Sequence, residues 1–474
     1  MSEKLILYYF IGSMPSRACI ILAKVLNIPI ELRSINLSER EQHNDWYKKI
    51  NPDKKVPVLV DGDFILTESR AIMAYLVDTR HPGSSLYPKD PKKRAAIDER
   101  LHFDGSAVFP KISKAFLSKI RGKSDIECKR AVKELTFVIQ ILEEFLTKSE
   151  YFAGNEMTIA DISILPNVAS AYDIGVDLTQ YPKLFSWWKK MQSIPGNDVN
   201  IAGAHVLCDL LGIKSKLKYS LRILKSLFAT DKKFSNKNCS NHPTEFTLQV
   251  QYSSSNMTDK LNIYCFIGSL PSRAVIILTK LLEIPCELNN VNILKGEQNS
   301  YWYKRINPAM KVPALADGYF TLSESRAILA YLVDTKMPGG CGLYPRDPKK
   351  RAKVDERLFF DAATFFPKVS SILQAYMKNK SECERKQAIE DLMPVLKTME
   401  DFLGESEYFA GNEMTIADVS IFPTFTTVYD IGVDLSKFPK LISWCQKMQK
   451  IPGNDINVAG GKVLLEALGM KPKL

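Results

Sequence analysis

Two serines, Ser13 and Ser269, stand in nearly identical settings, YYFIGSMPSRA and YCFIGSLPSRA, each between a strand-like run and a helix-like run. A hydroxyl in such a turn can cap the helix that follows, with Pro15 or Pro271 near its first position. It can also donate a hydrogen bond to an anion, helped by the helix N-terminus. Ser16 and Ser272 are local rivals, but both lie beyond the proline, inside the helix. A second polar set, Glu68-Ser69-Arg70, opens another helix and recurs as Glu324-Ser325-Arg326. Other chemistries find less support. The nine cysteines are scattered, and none forms a C-x-x-C pair that would suggest a zinc site or a dithiol. From Met257 onward there is no histidine, which excludes histidine triads and histidine metal sites there.

These residues recur because the chain is a duplication. MSEKLILYYFIGSMPSRA returns as MTDKLNIYCFIGSLPSRA at an offset of 256, and YFAGNEMTIAD (151–161) returns at 408–418, an offset of 257. The extra residue falls where HPGSSLYP becomes MPGGCGLYP, a Pro/Gly-rich turn where insertion is tolerated. A period above 200 residues means two whole proteins in tandem. Within a copy the signals run LILYYF (strand), RACIILAKVL (helix), ELRSINL (strand), then VPVLVD and DFILTE around a DGD hairpin turn, then SRAIMAYLVDTR (helix). Beyond LYP the pattern is helical, and Thr158-x-x-Asp161, repeated as Thr415 and Asp418, reads as a capping-box variant. Each copy is therefore a small α/β domain followed by a larger all-α domain. The expected divisions are 1–82 and 87–217, a basic flexible linker over 218–256, then 257–338 and 344–474. A short helix near Leu221–Phe228 is expected in the linker. Met257 lies in register with Met1, so the spacer reads either as a true fusion or as translated sequence between two adjacent genes.

The net charge of +11 invites a nucleic-acid reading, but the linker carries +4 of it, and elsewhere basic and acidic residues mix. DPKKRAAIDER reads as a solvated helix face. No apolar run approaches the length needed to cross a bilayer, and the N-terminus lacks a signal-peptide pattern. Scattered cysteines suit a reducing, cytoplasmic compartment. Neither nucleic acid, membrane nor metal is expected as a partner.

YYFIGSMPSRA, NPDKKVPVLVDGDFILTESRAI and YFAGNEMTIADISI, in that order and spacing, resemble the glutathione transferase family, closest to the arthropod delta and epsilon classes with theta-like features. The resemblance covers both copies and omits only the linker. It implies a thioredoxin-like glutathione-binding domain, a helical domain for hydrophobic electrophiles, and dimer-like pairing of copies within or between chains. It makes Ser13 and Ser269 the groups that stabilise the glutathione thiolate for conjugation in detoxification, with peroxidase activity as a further activity of the family. A ligand carrier or non-catalytic scaffold of the same fold is the competing function. Val56-Pro57 and Val312-Pro313 match the family's cis-proline, whose preceding backbone pairs with the cysteinyl part of glutathione. Glu68, Ser69, Arg70 and Glu324, Ser325, Arg326 match the segment that holds the γ-glutamyl end. Gln42 with Lys54 or Lys55, and Gln298 with Lys311, are the candidates for the glycyl carboxylate. Met310 replaces Lys54 in copy two, so weaker glutathione binding is expected there. Asp104 and Asp361 resemble an aspartate that helps bind glutathione across the dimer interface, and Phe109 and Phe366 fall where the family lines its electrophile pocket.

Overall fold

The computed structural model describes residues 4–120, 122, 124–210, 212, 215–217 and 261–470. The linker, with the helix expected near Leu221–Phe228, lies outside these. Copy one opens with β1 (Leu5–Tyr9), α1 (Met14–Val25), β2 (Glu31–Ser34) and the short α2 (Asp45–Ile50). The hairpin β3 (Val58–Asp61) and β4 (Phe64–Leu66) follows, then α3 (Ser69–Arg80). The sheet order is β2-β1-β3-β4, with β1 parallel to β2 and antiparallel to β3. Gly62, with φ of 61°, makes the expected DGD turn, which needs left-handed backbone. Ser13 caps α1, and Asn27 in the left-handed conformation ends it, with the Ile28 N–H returning to the Ala23 carbonyl at 2.8 Å.

The helical half comprises α4 (Pro91–Phe103), α5 (Phe109–Ile120), α6 (Asp125–Phe145), α7 (Ile159–Asp173), α8 (Pro182–Met191) and α9 (Asn197–Leu210). The Thr158–Asp161 capping box is present, and Asp161 also accepts from Trp187 Nε1 (2.9 Å) and the Phe152 N–H (3.1 Å). Between α4 and α5 the chain widens into a π-helical turn, Asp104–Val108, repeated at Asp361–Phe365.

Copy two repeats this plan with β5 (Leu261–Cys265), α10 (Leu270–Leu281), β6 (Cys286–Asn290), α11 (Tyr301–Ile306), β7 (Ala314–Asp317), β8 (Phe320–Ser323) and α12 (Ser325–Lys336). Its helical half runs α13 (Pro348–Phe360), α14 (Phe366–Met377), α15 (Glu382–Glu390), α16 (Met393–Leu403), α17 (Ile416–Asp430), α18 (Pro439–Met448) and α19 (Asn454–Ala467). The single helix α6 corresponds to two, α15 and α16. Pro394 stands where copy one has Phe137, and an interior proline removes a helical hydrogen bond.

The copies face each other through α3 against α13 and α4 against α12. This corrects the solvated reading of DPKKRAAIDER: Arg94, Ala95, Asp98 and Glu99 are buried, and only Asp90 and the two lysines are exposed. Glu356 reaches into copy one, where its Oε1 accepts from the Thr67 N–H and hydroxyl, both at 2.6 Å. Glu99 does the same in copy two with the Ser323 N–H (2.6 Å) and hydroxyl. Where the matching helices meet, His102 stacks on Phe359 at 4.2 Å. Nearby, Asp98 accepts from Tyr87 (2.7 Å) and Asp355 from Tyr344 (2.6 Å), and the four groups line one small enclosed space.

Candidate functional site

The Ser13 turn is built by three hydrogen bonds. Its N–H donates to the Phe10 carbonyl (2.9 Å), its carbonyl accepts from Arg17 (3.0 Å), and its Oγ accepts from the Ser16 N–H (3.4 Å). Ser13 is half-buried, and a hydroxyl that accepts from a backbone N–H still has its own hydrogen to donate. Ser16 is fully buried, with its Oγ accepting from the Phe10 N–H, so it secures the strand end and faces no open space. Ser269 and Ser272 repeat these roles.

Two residues the sequence reading passed over fix this turn. Arg17, one turn into α1 and fully buried, donates to the Asn200 carbonyl (2.9 Å) and side chain (2.8 Å) and to Ser170 (3.0 Å). Burial pushes its guanidinium down to about 9. Gly203 in α9 lies so close that a Cβ there would sit 2.1 Å from the Ile11 carbonyl oxygen. The helical domain thus presses on the serine turn at a point only glycine allows. Arg273 and Gly460 do the same in copy two.

The loop opposite carries the cis peptide Val56–Pro57. Tyr47 Oη (2.7 Å) and Asn51 Nδ2 (2.9 Å) both donate to the Lys55 carbonyl and so fix the backbone just ahead of Val56. Tyr303 and Asn307 hold the Lys311 carbonyl identically before Val312–Pro313. Neither pair was anticipated, although both residues sit a fixed distance before the Val-Pro. Lys54, exposed and in left-handed backbone, borders a groove of about 510 Å³ with Thr398 and Asp401 of copy two. Lys55 pairs with Asp53 (2.7 Å) and donates to Thr364 of copy two (2.9 Å). Gln42 lies in a 3-10 turn, and its buried Oε1 has no hydrogen-bond partner; the same holds for Gln298. A carboxylate cannot satisfy that oxygen; the part of each side chain that could meet one is the carboxamide NH2, which donates.

Glu68 precedes α3 with φ of 61°, and Glu324 precedes α12 with the same angle. A non-glycine residue is costly there, and such strain collects at binding sites. Burial raises both carboxyls above their ordinary value, and Lys55 or Lys311 partly counters it. Ser69 and Ser325 are buried in the first turn of their helices. A half-buried carboxylate beside free helix N–H groups offers complementary places for an ammonium and a carboxylate.

Family models described as "Glutathione S-transferase, N-terminal domain" match residues 7–85 and 259–334, and one described as "Glutathione S-transferase, C-terminal domain" matches 107–195 and 360–452. The chain belongs to the glutathione S-transferase family. It is a tandem transferase, and each relative covers about one copy. Glutathione S-transferase D6 of Drosophila melanogaster is 37% identical over 198 residues, 41% of this chain and 91% of that protein. Among solved structures, a delta-class glutathione transferase of Nilaparvata lugens is 34% identical, with a TM-score of 0.42, over 44% of this chain and 98% of its own. An epsilon-class glutathione S-transferase of the housefly, Musca domestica, is also 34% identical, with a TM-score of 0.41, over 44% and 97%.

Asp104, expected as a glutathione contact across the dimer interface, is fully buried and holds Arg70 of its own copy at 2.6 Å, with Ser163 (2.6 Å) and Asn167 (2.8 Å) also donating to it. Asp361 pairs likewise with Arg326 (2.7 Å) and Ser420 (2.7 Å), but Thr424 replaces Asn167 and its Oδ1 stays unpartnered. Arg70 and Arg326 therefore turn inward, binding the start of α3 or α12 to the helical domain. Among the described residues, the buried carboxylates that cross between the copies of this transferase are Glu99 and Glu356, and Glu144 makes a more exposed ion pair with Lys304 of copy two at 3.2 Å. Phe109 and Phe366 are half-buried at the start of α5 and α14, with Arg70 and Arg326 about 6 Å from the ring centres. Among the described residues no cluster of three His, Cys, Asp or Glu side chains is placed to hold a metal, and no helix is long and apolar enough to cross a membrane.

Proposed function

We propose that each copy binds glutathione and activates its thiol by a hydrogen bond from Ser13 or Ser269, for conjugation to small hydrophobic electrophiles. The observation that carries this reading is the serine hydroxyl itself, half-buried at the N-terminus of α1 or α10 with a hydrogen to donate. A free thiol has a pKa of about 8.5 and is mostly un-ionised at neutral pH. A charge-assisted hydrogen bond contributes about 1.5–3 kcal/mol, which at about 1.36 kcal/mol per unit lowers that pKa by roughly 1–2 units. The helix N-terminus adds about 0.3–1 kcal/mol. The thiolate sulfur then attacks the electrophilic carbon and the leaving group departs with its electron pair.

In this reading Glu68 and Ser69 take the γ-glutamyl end, the backbone at Val56 takes the cysteinyl part, and Gln42 with Lys54 or Lys55 takes the glycyl carboxylate. Glu324, Ser325, Val312, Gln298 and Lys311 serve copy two, where Met310 in place of Lys54 weakens the hold. Phe109 and Phe366 line the electrophile side. The two copies act as the two halves of one dimer inside a single chain, a reading supported by the reciprocal Glu99 and Glu356 bonds. A solution mass near 53.6 kDa is expected; twice that value would place the pairing between chains.

The test is the conjugation rate with a generic aryl halide for wild type, Ser13→Ala, Ser269→Ala and the double variant. Each single change is expected to remove part of the rate near pH 6.5 and the double change most of it, by roughly ten- to a hundredfold. A double variant as fast as wild type would mean that another group stabilises the thiolate.

A further inference from the structure

The two copies differ most tellingly behind the serine-bearing helices, in the cleft bounded by α7, α8 and α9 or by α17, α18 and α19. In copy one this cleft is full. Trp188 lies between Tyr172 (4.9 Å between ring centres) and Phe185 (6.1 Å). Residues 215–217 turn back over it: Ser215 Oγ (2.9 Å) and the Lys216 N–H (2.8 Å) donate to Asp173, and Leu217 is buried against Ala169, Ile201 and Ala204. A carboxylate with two donors beside an apolar bed is thus already shown with an occupant.

Among the described residues of copy two the same place is open. Cys445 stands where copy one has Trp188, and Ile442 where it has Phe185. Replacing large rings by small side chains leaves space that a packed interior does not close. The result is a cleft of about 310 Å³ lined by Tyr429, Asp430, Ile442, Cys445 and Val458, with Lys462 at its mouth. That volume is in the range of small-molecule sites. Tyr429, without the ring that packs against its counterpart Tyr172, is 51% exposed. Asp430, the counterpart of Asp173, has no hydrogen bond from a side chain or backbone group among the described residues. It lies close enough to Cys445 that its charge adds to burial in pushing that thiol up to about 12. Pro472 stands where copy one has Ser215, so the hydroxyl that meets Asp173 has no equivalent in the sequence.

We propose that this cleft of copy two binds a small arylalkylamine, whose ring takes the space filled by the Trp188 indole in copy one and whose ammonium meets the Asp430 carboxylate. The ring packs against Tyr429 as Trp188 packs, tilted by 41°, against Tyr172. The ammonium supplies the donors that Ser215 and Lys216 supply to Asp173. Asn457 lines the same cleft and holds Arg273 of α10, so an occupant borders the support of the Ser269 helix without touching the serine.

The probe is tryptamine, titrated into the full chain by calorimetry, with 3-ethylindole as the uncharged control. Cys445→Trp restores the copy-one residue and is expected to abolish tryptamine binding while the melting temperature holds. Asp430→Asn is expected to weaken tryptamine by about tenfold or more, the loss of a charge-assisted pair, and to leave 3-ethylindole unchanged. The proposal is overturned if the full chain does not bind tryptamine. It is overturned equally if Cys445→Trp binds it as wild type does, or if Asp430→Asn affects both probes alike. Binding gained only on deleting 471–474 would also overturn it, by showing that the chain's own end fills the cleft.

Discussion

Glu356→Ala should weaken glutathione binding in the copy that does not contain the mutation. One oxygen of Glu356 receives both the N–H and the hydroxyl of Thr67, each at 2.6 Å, and Thr67 directly precedes Glu68 in its left-handed conformation. The other oxygen pairs with Lys353 and Arg357, both at 3.0 Å, so the carboxylate is a buried junction between the copies. A hydrogen bond to a charged acceptor contributes about 1.5–3 kcal/mol, and losing the backbone bond to Thr67 therefore weakens whatever Glu68 and Ser69 hold by roughly ten- to a hundredfold. Stranding Lys353 and Arg357 without their partner costs a further 3–5 kcal/mol or so of stability. The assay is the glutathione KM and equilibrium Kd of copy one, with copy two silenced by Ser269→Ala, against the mirror background Ser13→Ala. Copy one should lose at least about tenfold in affinity while copy two stays near its starting value. Equal losses in both, or none in copy one, would refute the argument that Glu356 positions Glu68 from across the boundary.

Asp98 and Asp355 are both raised above the ordinary carboxylate range by burial between the copies. Such a group keeps a proton in the folded state that the unfolded chain has released above about pH 4, so its stabilisation is lost as pH rises toward the folded value. Melting temperature should therefore fall between about pH 4 and 8, and Asp98→Asn should flatten the upper part of that fall; an unchanged slope would count against it. Asp104→Ala leaves Arg70 buried without its partner and should cost about 3–5 kcal/mol in denaturant unfolding. A lowered glutathione affinity at unchanged stability would instead restore direct contact. Gly203→Ala must displace the Ile11 carbonyl or Arg17, at roughly 1–3 kcal/mol. It should slow conjugation by copy one with copy two intact, and full activity there would disprove the contact.

What the sequence made legible is what depends on neighbours along the chain. The serine cap of α1, the DGD hairpin and the Thr158–Asp161 box all close within a few residues, so local chemistry dictates them. The break at Pro394 was not among those readings, although a proline inside a helical pattern that reads through Phe137 in the other copy signals one. The inward turn of Asp104 was not legible, because its partners lie on α3 and α7 and nothing local separates a buried aspartate from an exposed one. Glu99 misled for the same reason: a charged helix face next to a twin copy reads as solvated until the twin is placed on it. Gly203 and the Tyr47–Asn51 clamp emerge only when distant backbones meet.

The stacking of His102 on Phe359 has a consequence for how such a chain changes over time. In a dimer of identical subunits, a residue on the axis always meets itself, so every change there is made twice and must suit its own reflection. Joining the halves removes that constraint. The two sides can drift apart one substitution at a time, each tested against an unchanged partner, until neither half is the best match for a copy of itself.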